Sequence, residues 1–71
     1  MKITYTTHKS VDGVAVSAHF GRSRITQYPS GSIISTGPAD ETPEEQSCRR
    51  LLMERYAETG KIYVEGTLCR R

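Results

Sequence analysis

The stretch from Thr42 to Gly60 carries the start and stop signals of a single helix. Thr42 is a preferred N-cap, Pro43 suits the first helical position, and Glu45, three residues after the cap, completes a capping box. Gly60 lies where a left-handed C-terminal cap is expected. Apolar residues recur between these limits at helical spacing: Cys48, Leu51, Leu52 and Tyr56. Such a helix must bury its apolar face against another layer, which restricts the folds open to a short chain.

Alternation of apolar and polar residues predicts strands on both sides of this helix. The five predicted strands are KITYT, VAVSAHF, SRITQY, SIIST and KIYVEGTL. Turn residues separate the first four at positions 12–13, 21–22 and 29–31. The alternative at Gly21 is a bulge that bends one longer strand. The predicted fold class is α+β with the order ββββαβ, an antiparallel sheet of four or five strands with the helix packed on one face. The opposite face is polar and is expected to contact solvent or a partner.

The length of 71 residues predicts one domain, residues 1–71, with a small core. Its large apolar candidates are Ile3, Tyr5, Val14, Val16, Phe20, Ile25, Tyr28, Ile33, Ile34, Leu51, Leu52, Tyr56, Ile62, Val64 and Leu68. A core of this size supplies only about 3–5 kcal/mol of stability. A second copy of the chain, forming a homodimer, or another partner would add to it.

Residues suited to catalysis or metal binding occur without the spacing that either function needs. The metal-ligating types His8, His19, Cys48 and Cys69 contain no close pair of the kind found in structural zinc sites. The chain has no nucleophile elbow and no phosphate-binding glycine loop, and it is too short for a deep pocket. We therefore expect no metal, no cofactor and no enzyme activity.

The chain shows neither a membrane-spanning apolar run nor the segments of a signal peptide. We therefore expect a cytoplasmic protein that does not bind membranes. The two cysteines, Cys48 and Cys69, are too few for a disulfide framework. In a reducing compartment we expect both to be thiols.

The net charge of +2 is small, but the charges are unevenly distributed. Residues 1–39 carry four basic residues and one acid, whereas residues 40–71 carry six basic residues and seven acids. If the third strand is regular, Arg22, Arg24 and Tyr28 share one of its faces and could bind phosphates and stack on a base. The alternative is a basic face that only contacts water.

A second charged feature lies at the predicted helix start, where Asp40, Glu41 and Glu44 form an acidic corner. Clustered carboxylates can occupy the basic groove of a protein that otherwise holds nucleic acid. The alternative is that these acids only stabilise the positive end of the helix dipole. A further candidate interface consists of Arg55, which lies within the apolar stripe, and Tyr63. Arg55 could equally extend its charged end to the rim of the core.

The build of the chain resembles the small proteins of phages and mobile elements, including anti-CRISPR proteins. The shared features are a short chain, a sheet with one helix, an MKI start that leads directly into a strand, and no catalytic motif. The resemblance implies stoichiometric inhibition of a host defence complex in the bacterial cytoplasm. The leading expectation is a protein-binding inhibitor that occupies the basic surface of a host nucleic-acid-handling or CRISPR-type complex. The alternative is a small nucleic-acid-binding protein that uses the basic face of its sheet.

Overall fold

A computed structural model describes residues 2–63 and shows an α+β fold. Its elements are β1 (Thr4–Ser10), β2 (Gly13–Phe20), β3 (Ser23–Gln27), β4 (Ile33–Thr36) and α1 (Pro43–Thr59). The strands form one antiparallel sheet in the order β1-β2-β3-β4, so each strand pairs with its neighbour in the chain. The predicted α+β class and antiparallel sheet are confirmed. The predicted fifth strand would continue through Val64 and Leu68, which lie outside the described residues, as does Cys69.

The first two connections of the sheet are two-residue turns, at positions 11–12 and 21–22. Gly21 has φ +62°, a left-handed conformation that favours glycine because it has no Cβ. A Cβ at this position would also lie 2.9 Å from Cγ of Glu45. The turn at Gly21 and Arg22 therefore brings the sheet into direct contact with the helix start.

Local signals at both ends of α1 determine where the helix begins and ends. The backbone N–H of Glu45 donates to Oγ1 of Thr42 at 3.2 Å, and the backbone N–H of Thr42 donates to Oε1 of Glu45 at 2.8 Å. At the other end, Gly60 adopts φ +79° and its N–H donates to the carbonyl of Tyr56 at 2.8 Å. The predicted capping box and glycine cap are both confirmed.

The core lies between α1 and one face of the sheet. Its buried members are Ala18, Phe20, Ile25, Leu52 and Ile62. Half-buried side chains surround them: Ile3, Tyr5, Ile33, Cys48, Tyr56 and Tyr63. No element within residues 2–63 covers the opposite face of the sheet.

Three predicted core residues are instead exposed: Val14 at 55%, Ile34 at 52% and Leu51 at 48%. Ile34 follows Ile33 in β4, and consecutive strand residues point to opposite faces. Leu51 precedes Leu52 in α1, and one residue turns the helix by about 100°. Val14 lies near the end of the first hairpin, beside its turn. In each of the adjacent pairs Ile33–Ile34 and Leu51–Leu52, only one of the two side chains can therefore face the core.

Candidate binding surfaces

Glu45 connects the helix start to the sheet and is only 2% exposed. Its carboxylate accepts hydrogen bonds from the backbone N–H of Arg22 at 2.7 Å and from Nη2 of Arg22 at 3.2 Å. It also accepts the capping bond from the backbone N–H of Thr42. These bonds, chiefly that from the Arg22 backbone, lower the pKa of Glu45 to about 2. Glu45 therefore joins the turn between β2 and β3 to the start of α1.

Arg22 also compensates a second carboxylate of the acidic corner. Its Nη1 lies 3.4 Å from Oδ1 of Asp40, and its Nη2 donates to the Asp40 carbonyl at 3.0 Å. The hydrogen bond with Glu45 is the main cause that raises the pKa of Arg22. Arg22 is therefore committed to contacts within the chain.

Glu41 is compensated by Arg49 on the first half of α1. Nε of Arg49 donates to Oε1 of Glu41 at 3.2 Å, and Nη2 of Arg49 forms an ion pair with the same carboxylate. The hydroxyl of Ser23 donates to it as well. The bonds from Arg49 and then Ser23 lower the pKa of Glu41. The Arg49 guanidinium lies 5.4 Å from the centroid of the Phe20 ring. Arg49 therefore also packs against the edge of the core.

The acidic corner is consequently not a continuous negative surface. Glu41 is half-buried and paired with Arg49, whereas the side chain of Asp40 is 83% exposed although it contacts Arg22. Glu44 is exposed, and no hydrogen bond or ion pair connects its side chain to residues 2–63. Only Asp40 and Glu44 of the predicted set present their carboxylates largely to solvent.

The predicted basic face is also divided by the structure. Arg22 lies in a turn outside β3 and points to the helix start. Tyr28 follows β3 and lines a cavity together with Val14 and Val16. Arg24 alone remains an exposed basic residue of β3. The structure therefore separates Arg22 from Arg24, and Tyr28 lies just beyond the end of β3.

We define the open face as the strand side chains that point away from α1. The strand register assigns eleven side chains to it: Thr4, Thr6, His8, Ser10, Ala15, Ser17, His19, Arg24, Thr26, Ile34 and Thr36. Short side chains fill its centre, where the hydroxyls of Ser17 and Thr26 form a buried hydrogen bond of 2.8 Å. The ionisable residues of this face are His8, His19 and Arg24, all of them basic. The open face is thus polar and free of carboxylates, and its central side chains are buried.

His19 is the open-face residue whose position sequence reasoning did not use. It lies directly opposite Arg24 in the sheet, and its Nε2 is 2.9 Å from Oγ1 of Thr6. The predicted two-residue turn at 21–22 already implied this pairing, because residues equally distant from such a turn face each other. Counting outward from that turn would have placed His19 beside Arg24.

Arg55 and Tyr63 lie near each other but have structural partners. Nη1 of Arg55 is 3.1 Å from the hydroxyl of Tyr5, which in turn donates to the carbonyl of Ile62 at 3.2 Å. Tyr63 packs against the core. Both residues line a groove of about 400 Å³ beside the exposed Leu51. Arg55 therefore links α1 to β1, and its predicted role at an interface stays a prediction.

Within residues 2–63, no group of three or more His, Cys, Asp or Glu side chains could hold a metal ion. Cys48 is a half-buried free thiol on α1. Over the same residues, no helix has both the length and the apolar character needed to cross a bilayer.

The chain matches no protein-family model, no curated protein and no solved structure. The function must therefore be inferred from the geometry and charge of residues 2–63. Two charged surfaces are candidates for binding a partner: the acidic corner and the open face. They differ in how far their charges are already paired within the chain.

Proposed function

We propose that this chain is a non-enzymatic binding module that contacts nucleic acid through the open face of its sheet. The observation that carries the proposal is the separation of charge across the sheet. Among residues 2–63, no carboxylate lies on a strand: Asp12 occupies the first turn, and the other six lie between positions 40 and 58. Arg24 and His19 therefore have no acidic neighbour on their face, and a polyanion can bind there without like-charge repulsion.

The contrast with the helix start supports this choice of surface. Arg22 and Arg49 already satisfy three of the four carboxylates there, so a basic partner would have to compete with bonds inside the chain. Among residues 2–63, Arg24 forms no such pair that would have to break before a phosphate reaches it. The small net charge of +2 is compatible with weak, salt-sensitive binding, because the local field of one face acts on the ligand.

The proposal is tested by titrating a labelled DNA duplex with the protein at about 50 mM salt, where non-specific phosphate binding is detectable. Arg24→Glu reverses the charge on the open face, and Arg50→Glu makes the same change on the exposed part of α1. We expect Arg24→Glu to abolish binding and Arg50→Glu to weaken it only slightly. Thermal melts of both variants confirm that each is folded.

Two results would contradict the proposed surface. Equal losses in the two variants would show that only the overall charge matters. Absence of binding by the unaltered protein to DNA and to RNA at this salt concentration would exclude the proposed function itself.

A second candidate is the inhibitor that the resemblance implies, which would occupy the basic surface of a host nucleic-acid-handling or CRISPR-type complex. The observation in its favour is that Asp40 and Glu44, four residues apart at the helix start, remain exposed. Exposed carboxylates at the rim of an interface mainly increase the association rate, and salt screens this effect. The positive end of the helix dipole lies close by and offsets part of their charge.

This candidate is tested by adding the protein to a purified CRISPR-type effector and measuring DNA binding by the effector. The variant carries Asp40→Asn and Glu44→Gln, and it leaves Glu41 and Glu45 unchanged because both hold the fold together. Slower association of the variant, most visible at low salt, would favour the inhibitor. Inhibition that is identical for the variant and the unaltered protein would exclude the acidic corner as its cause.

A further inference from the structure

His19 and Arg24 form a neighbouring pair on the open face. The register places them directly opposite each other on β2 and β3, an arrangement in which the two Cβ atoms lie about 5 Å apart. His19 is half-buried and Arg24 is exposed. Among residues 2–63, the guanidinium of Arg24 forms no hydrogen bond or ion pair. The pair therefore presents an imidazole beside a cation that no described carboxylate compensates.

One ring nitrogen of His19 has a partner and the other has none. Nε2 is 2.9 Å from Oγ1 of Thr6, whereas Nδ1 forms no hydrogen bond with any of residues 2–63. A threonine hydroxyl both donates and accepts, so this contact suits the neutral imidazole and the imidazolium alike. In the imidazolium, Nε2–H donates to Thr6 and Nδ1–H is available for an external acceptor. Thr6 thus restrains the ring and leaves its second donor free.

The side chains that surround His19 on the open face include no acid. They come from β1, β2 and β3 and are Thr4, Thr6, Ser17, Arg24 and Thr26. Arg24 is the only charged one of these, and the exposed Lys2, just before β1, is basic as well. Among residues 2–63, no carboxylate on this face can pair with a protonated His19. The anion that stabilises the protonated ring therefore has to come from a ligand.

We propose that His19 and Arg24 together bind one phosphate group of a nucleic-acid backbone and that His19 takes up a proton as the phosphate binds. This inference rests on the proposed function and specifies a phosphate site within its surface. Arg24 donates from its guanidinium and His19 from Nδ1–H, so the phosphate oxygens accept charge-assisted hydrogen bonds from both side chains. The phosphate stabilises the imidazolium, and the proton comes from the solvent. No bond to phosphorus forms or breaks.

The coupled proton makes binding depend on pH. Histidine is the side chain that ordinarily gains its proton just below neutral pH. Because the complex holds one more proton than the free protein, lowering the pH through this range favours the complex. Binding should therefore tighten as the pH falls, by at most about tenfold per pH unit, the limit for the uptake of one proton.

The test titrates the labelled DNA duplex with the protein at about 50 mM salt, at several pH values between about 8 and about 5.5. We expect the dissociation constant of the unaltered protein to fall steadily over this range. His19→Gln, whose amide stays neutral, should bind with a dissociation constant that changes little with pH. His8→Gln is the matched control, because it removes the other imidazole of the open face and should keep the pH dependence. Thermal melts of both variants confirm that each is folded.

Imidazole proton spectra of the unaltered protein provide a second measurement, which does not depend on the folding of a variant. At about pH 7, addition of the duplex should move the His19 resonances toward those of a protonated ring and leave the His8 resonances in place. Binding that is independent of pH, or a pH dependence that His8→Gln removes as fully as His19→Gln, would overturn the inference and leave the proposed function intact. Absence of binding to DNA and to RNA at every pH would overturn both.

Discussion

The start of α1 and the open face both carry charged side chains, but they differ in how these are paired. At the helix start, Asp40 and Glu45 contact Arg22, and Glu41 contacts Arg49. On the open face, Arg24 has no carboxylate among the described residues of its face. In the first region, the ion pairs connect the helix to the sheet. In the second region, the guanidinium of Arg24 is exposed to solvent.

This difference shows that the composition of a segment does not reveal whether it can bind a partner. The acidic corner has the denser cluster of charges in the sequence, yet two arginines from elsewhere in the chain compensate much of it. Arg24 carries a single charge, yet no carboxylate among the described residues pairs with it, so it can contact a ligand. If this contrast is correct, substitutions on the helix side should change stability, and substitutions on the open face should change binding alone.

The largest expected effect tests the helix side of the sheet. Leu52 is fully buried in the core, so Leu52→Ala should lower the free energy of unfolding by about 2–5 kcal/mol. Urea denaturation measures the change. Leu51→Ala is the matched control, because Leu51 is largely exposed and its truncation should change stability by no more than about 0.5 kcal/mol. Equal losses for the two variants would mean that the helix packs on a different face.

A second prediction compares one arginine from each region. Arg49→Gln removes the bonds to Glu41 and the contact with Phe20, and it should cost about 1.5–3 kcal/mol, as is usual for hydrogen bonds to charged groups. Arg24→Gln should change the free energy of unfolding by less than about 0.5 kcal/mol. Thermal or urea denaturation of the two variants measures both. A large loss for Arg24→Gln would show that the open face also contributes to the fold and would weaken its proposed role in binding.

The third prediction concerns the contact between the turn and the helix start. Gly21→Ala and Gly60→Ala each place a Cβ in a left-handed conformation, which costs about 1–2 kcal/mol. Only at position 21 does the added atom also meet another residue, Glu45, since nothing lies within 4 Å of it at position 60. Gly21→Ala should therefore be the more destabilising, as measured by urea denaturation. Equal losses would mean that the turn can move away from Glu45 without cost.

The last prediction concerns the protonation of Glu45, which changes stability only at acidic pH. Its pKa is about 2 in the folded chain and 4.5 ordinarily, so its contribution to stability is complete above pH 4.5 and is lost as the pH falls toward 2. Thermal melts between these two pH values should show the decline. Glu45→Gln, which keeps a hydrogen-bonding side chain, should flatten it, and Glu44→Gln should leave it unchanged. An unchanged decline in Glu45→Gln would assign the acid sensitivity to another group.

Features determined by neighbouring residues could be predicted from the sequence. The helix limits at Thr42 and Gly60 were correct, because each cap depends on side chains and carbonyls within one turn. The turn at Gly21 was also correct, because a single residue supplies the required backbone conformation. The α+β class followed from these elements, since one amphipathic helix needs a sheet to cover.

Features that depend on residues distant in sequence could not be predicted in the same way. Arg22 was assigned to a strand face with Arg24, but it bonds to Glu45, which lies 23 residues further along the chain. No local pattern encodes that contact, since it exists only after the helix packs across the sheet. The cross-strand neighbours of Arg24 were accessible in principle, because the length of one short turn fixes the register of β2 against β3.

The sheet and the helix also differ in the length of chain that their contacts enclose. Each strand pairs with the next, whereas α1 is held by distant contacts such as that of Gln27 Nε2 with the carbonyl of Gly60 at 2.7 Å, 33 residues apart. Closing a longer loop costs more entropy, so we expect the helix to join a sheet that has largely formed and to be the first unit to open in hydrogen exchange. Its departure would expose Phe20 and Ile25, so the helix also keeps the apolar side of the sheet from associating with other chains.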